Sequence, residues 1–101
     1  MAGLSYDGVI EAARYRGGQL QWVRAYERRG ATFSDVVLLD RGQLITQLQR
    51  GRRFVTGRRT ENMAGSFRIG KRVQLIGQGG QAVVSTDATA PSDSLDDVPI
   101  V

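Results

Sequence analysis

The sequence predicts a small, mainly β domain of the α+β class: an antiparallel sheet curled into a barrel, with one short helix at about residues 41–50. Three observations carry that expectation. Thirteen glycines in 101 residues break the chain into short segments, as a succession of strands and tight turns requires. After Gly51 the residues alternate, Arg52, Phe54 and Thr56 pointing one way and Arg53 and Val55 the other, the period of a strand. Ahead of that strand, between Leu39 and Gly51, the period is helical. The length fits one domain with one core of modest size.

Tyr6 to Tyr15 reads as a first strand interrupted at Gly8, Gly17-Gly18 as a two-residue hairpin turn, and Gln19 to Glu27 as the return strand. Pairing across that turn sets Tyr15 opposite Leu20, Ala13 opposite Trp22, Glu11 opposite Arg24 and Val9 opposite Tyr26, all on one face. The other face carries Ile10, Ala12, Val23 and Ala25. Both faces are partly apolar, so one is the core and the other needs a reason.

Arg28-Arg29-Gly30 is a turn, and Phe33–Leu39 a third strand with Val36, Val37 and Leu38 as a buried run. Asp40 is a helix N-cap; Gln43 completes a capping box, and Leu39 and Leu44 hold the staple positions. Leu44, Ile45 and Leu48 form one apolar stripe, and Gly51 closes the last turn. The helix therefore spans Arg41–Arg50 and a fourth strand Arg52–Thr56, followed by a loop over 57–65. Phe67–Ile69 and Arg72–Ile76 predict a second hairpin about Gly70-Lys71, and Gln81–Ser85 a last strand after the glycine-rich turn at 77–80. From Asp87 onward low hydrophobicity predicts disorder. The domain is thus residues 1–86, and 87–101 an acidic disordered tail with an apolar tip, Val98-Pro99-Ile100-Val101. Three strands, a helix and further strands is the element order of an OB fold. An SH3-like barrel or an open α+β sheet is the alternative.

One resemblance follows from these residues. Tyr15-Arg16-Gly17-Gly18 with its return strand, Phe33-Ser34-Asp35-Val36-Val37-Leu38-Leu39, Leu44–Leu48, Gly51 and Phe54-Val55-Thr56-Gly57 together resemble bacterial single-stranded DNA-binding protein. The likeness covers about residues 13–57, and Asp96-Asp97-Val98-Pro99-Ile100-Val101 is similar in form to that family's acidic tail and apolar tip. It implies an OB barrel, single-stranded DNA as ligand and a tip that docks onto partner proteins.

Charge points the same way. Residues 1–86 hold all 14 basic residues and six acidic ones, a net +8; residues 87–101 hold four aspartates and no base, a net −4. A basic body predicts a polyanionic partner. Every basic residue but Lys71 is arginine, whose planar fork suits phosphate and stacks on flat rings. Arg50, Arg52, Arg53, Arg58 and Arg59 cluster around Phe54. With Arg24 they are the expected phosphate contacts, and Tyr15, Trp22, Tyr26, Phe33 and Phe54 the expected stacking rings for a single strand. The acidic tail is expected to compete for that basic surface.

Other classes find less support. There is no histidine and no cysteine to activate a nucleophile or ligate a soft metal, and the glutamates are scattered, so no enzyme, metal or cofactor is expected. Gly77-Gln78-Gly79-Gly80 precedes a strand and lacks the Lys-Ser/Thr of a phosphate-binding loop. Asp93, Asp96 and Asp97 lie on a segment expected to give a cation no fixed geometry. No apolar run has membrane-spanning length and the N-terminus lacks a signal pattern, so a cytoplasmic protein is expected. The competing reading is a protein-interaction module or homodimer that docks through a sheet edge, the second apolar face or the C-terminal tip.

Overall fold

The computed structural model describes residues 6–30, 32–34, 36–59, 67–77, 82–96 and 98–101, with the side chains of Thr32, Arg59 and Phe67 outside that description. The chain is mainly β with one short helix, in the order β1 (Gly8–Arg16), β2 (Gln19–Arg29), β3 (Thr32–Phe33), β4 (Val37–Asp40), α1 (Arg41–Gln49), β5 (Phe54–Arg59), β6 (Phe67–Arg72), β7 (Gln74–Ile76) and β8 (Val83–Ser85). The large sheet runs β3-β2-β1-β5-β6, with β4 also on β2; β7 and β8 form a separate pair. Among the described residues this sheet is open, with no pairing between β6 and β3 or β4. Nor is it wholly antiparallel. β1 and β5 run parallel over Gly8–Ile10 and Phe54–Thr56, as the long excursion through β2, β4 and α1 permits.

The β1–β2 hairpin turns at Gly17 and Gly18, whose φ of 60° and 81° are the two positive values a primed turn demands. Two of the expected pairs, Tyr15–Leu20 and Val9–Tyr26, are present, while the middle is displaced to Ala12–Arg24, Ala13–Val23 and Arg14–Trp22. Glu11 is extra on β1 and Gln21 is extra on β2. Each bulge slips the register by one residue, and because they fall on opposite strands the second undoes the first.

The capping box forms as the sequence dictates: Gln43 N–H donates to Asp40 Oδ1 at 2.8 Å and Asp40 N–H to Gln43 Oε1 at 2.9 Å. The staple residues Leu39 and Leu44 both enter the core, which also holds Ile10, Val23, Phe54 and Val84. The expected third strand is split into β3 and β4, which pair successive parts of the same β2 edge. The expected hairpin about Gly70-Lys71 is absent. β6 runs straight through those residues as the partner of β5, and β7 pairs β8 instead. The β5–β6 pairing carries a bulge, at which Gly70 and Lys71 together face Thr56, whose hydroxyl accepts from Lys71 N–H at 2.8 Å. Residues 78–80 of the expected turn at 77–80 and residues 60–65 of the expected loop at 57–65 lie outside the described residues, and residues 57–59 continue β5 instead of opening the loop.

The largest correction concerns residues 87–101. Leu95 and Val98 are core residues, and Ala13 bonds both ways with the end of the chain, its N–H to Pro99 O at 3.0 Å and its O from Val101 N–H at 2.9 Å. β5 leaves β1 after Ile10, and the C-terminal residues take up the β1 edge it vacates. Asp93 anchors this segment. Its carboxylate accepts from Leu20 N–H at 2.8 Å, Val84 N–H at 2.9 Å and Arg41 Nε at 2.7 Å. Hydropathy alone missed this because residues 87–97 carry only Leu95 as a large apolar side chain ahead of the tip, and the segment's buried carboxylate is satisfied by partners remote in sequence.

Candidate nucleic-acid interface

Residues directly opposite in a sheet share a face, and so do residues two apart on a strand. The rows Leu39–Val23–Ala13 and Val37–Ala25–Ile10–Thr56 face the core. The rows between them face away: Asp40–Trp22–Arg14, then Leu38–Arg24–Ala12, then Tyr26–Val9–Val55–Arg72. Arg14 and Arg72 are exposed, Trp22 and Arg24 half-buried, and Leu38 is 60% exposed. This outer face therefore carries an accessible indole flanked by guanidinium groups. Its third row is more closed, with Val9 buried and Tyr26 only 8% exposed.

A second concentration of charge follows α1. Residues 50–77 contain eight basic residues and one acidic residue, Glu61. Arg50, Arg52, Arg53, Arg58, Arg68 and Arg72 are exposed. Arg52 and Arg72 line one cleft of about 520 Å³ with Leu48 and Gln74. Arg58 and Arg68 stand opposite each other across β5 and β6. Among the described residues the ion pairs are Arg29–Glu27, Arg41–Asp93 and Lys71–Asp96, so none of these exposed arginines has an acidic partner there.

The structure sorts the expected site residues into three groups. Arg24 and Trp22 stand together on the outer face, and Arg50, Arg52, Arg53 and Arg58 are exposed near the β5 hairpin. The side chain of Arg59 lies outside the described residues. The remaining rings are committed elsewhere. Phe54, expected to stack on bases, is 1% exposed and belongs to the core; its parallel neighbour Gly8 lacks a Cβ where the Phe54 ring lies. Tyr26 is buried and its hydroxyl donates to Glu11 Oε2 at 3.3 Å. Neither ring is open to a base. Tyr15 packs against the core and accepts from Leu95 N–H at 2.9 Å. Burial pushes its phenol pKa up, with Asp93 and Asp96 adding to the rise against that hydrogen bond. Phe33 stacks on Tyr6 at 5.8 Å, and both rings lie within 6 Å of the Arg28 guanidinium carbon, at 5.1 and 5.6 Å. The reading from sequence missed Arg14, Arg68 and Arg72. The glycine hairpin pointed to Arg14, but the bulges that set it beside Trp22 leave no mark in composition.

Two of the tail's carboxylates, those of Asp93 and Asp96, have basic partners. Asp93 is buried on Arg41 with a second contact at 3.2 Å from Nη2. Burial raises its carboxyl pKa, but Arg41 and the two backbone amides outweigh that and hold it below 3.8. Arg41 Nη2 further donates to Ala82 O at 2.7 Å. Asp96 meets Lys71 at 3.0 Å in the open. Among the described residues no three acidic side chains gather as a metal site, and no helix is long and apolar enough to cross a membrane. No family model, curated protein or solved structure matches the chain.

Proposed function

We propose that the chain binds single-stranded nucleic acid on its outer sheet face, with Trp22 as the stacking ring and Arg14, Arg24 and Arg72 as phosphate partners. The observation that carries this reading is the row Asp40–Trp22–Arg14 beside the row Leu38–Arg24–Ala12. An indole beside Arg14 and Arg24 on the face away from the core, with Arg72 further across the sheet, is equipped for a splayed base and its phosphates. A duplex hides the faces of its bases, so a stacking ring favours the single strand. The same activity is what the resemblance of residues 13–57 implies. One stacked base contributes about 1–3 kcal/mol. Titration with an oligonucleotide at low salt should quench Trp22 emission, and binding should weaken steeply as salt rises. A flat titration would refute the reading.

A second reading has its own observation. Leu38 is 60% exposed on the outer face of β4, with Val36 46% exposed just before that strand, an arrangement suited to a protein partner. Leu38→Ala, which adds no charge beside its cross-strand neighbour Arg24, would weaken such docking and leave nucleic-acid binding in place.

A further inference from the structure

Like charges directly opposite each other in an antiparallel pair repel. Arg58 and Arg68 are so placed, both exposed and neither with an acidic partner among the described residues. They border a cleft of about 290 Å³ that also touches Thr56, Gly57, Ile69 and Gly70. The backbone there cannot carry a further side chain. A Cβ on Gly70 would lie 2.5 Å from Thr56 Oγ1, on the side that Thr56 shares with Arg58. The floor beside the two guanidinium groups is therefore held low. By the alternation of β5, Arg58 shares the side of Thr56 rather than that of Val55, so its guanidinium and that of Arg68 opposite leave the sheet on the side away from the Trp22 face.

We propose that the Arg58–Arg68 cleft is a seat for one phosphate group. Two planar forks set opposite each other exceed what one carboxylate takes up bidentately, whereas a tetrahedral phosphate directs oxygens toward both. An anion between them also cancels the cross-strand repulsion, which gives the pairing of two arginines a physical purpose. The phosphate is either a free ion or a link in a nucleic-acid backbone, and the two sources separate experimentally.

The parent protein and the R58A/R68A variant are compared with two probes. With inorganic phosphate at constant ionic strength, a free-phosphate seat predicts saturable stabilisation of the parent against heat and about tenfold or greater weakening in the variant. With a single-stranded oligonucleotide, a backbone seat predicts that the slope of log K against log salt falls by about 0.7, the value for one phosphate, while Trp22 quenching keeps its amplitude. R58K/R68K keeps the charge and loses the forks, so it should bind more weakly in whichever assay responds. Both arginines are exposed, and without phosphate R58A/R68A should unfold no earlier than the parent. A loss of about 1.4 in slope means two independent phosphates and overturns the single seat. No response to phosphate together with an unchanged slope overturns the seat outright and leaves the Trp22 reading standing; a slope change without Trp22 quenching does the reverse.

Discussion

The two faces of the β1–β2 hairpin are built from one pair of strands and end in opposite conditions. On the inner face Ile10, Ala13, Val23 and Ala25 are closed over by Phe54, Leu44 and the C-terminal Leu95 and Val98. On the outer face Trp22 and Arg24 stay half-buried and Arg14 is exposed. The difference teaches that apolar content does not decide which face is the core. What decides it is which face the later chain returns to, and here α1, β7–β8 and the C-terminal segment all return to one.

If that division is right, inner changes move stability and outer changes move binding. Phe54→Ala, at 1% exposure, should cost about 3–5 kcal/mol in denaturant unfolding, and a smaller loss would break the comparison. Asp93→Ala should cost about as much, about 3–5 kcal/mol, because it strands the Arg41 guanidinium and two amides without their acceptor. The pH dependence sharpens this. The Asp93 carboxyl is held below 3.8 in the folded chain, so its contribution is present above that value and lost as pH falls through its lower folded pKa. Asp93→Asn should remove that part of the acid transition. Trp22→Ala should weaken oligonucleotide binding by about 1–3 kcal/mol with less effect on stability than Phe54→Ala. Smallest of all, Asp96→Ala should shift stability by at most about 1 kcal/mol, since both partners of its ion pair are half or more exposed.

Local chemistry was readable in the chain before folding. Asp40 and Gln43 announce the helix start, and Gly17-Gly18 the hairpin, because each interaction spans a few residues. The path of the sheet was not readable. The parallel β1–β5 pair and the docking of residues 93–96 and 98–101 join positions far apart in sequence, and the run of β6 through Gly70-Lys71 rests on a bulge opposite Thr56. The site was legible in the same measure. The arginines were visible by composition, and Trp22 and Arg24 by alternation, whereas Phe54 and Tyr26 look the same in sequence whether they end up inside or out.

The split edge of β1 has a consequence for synthesis. Ala13 emerges from the ribosome well before Pro99 and Val101, yet both of its outward backbone groups wait for them. At about 5–20 residues per second the first hairpin stands several seconds with an uncovered flank, until translation has passed Val101. An unpaired strand edge is a template for pairing with another chain, so the order of translation leaves this stretch of β1 the last part of the hairpin to be covered.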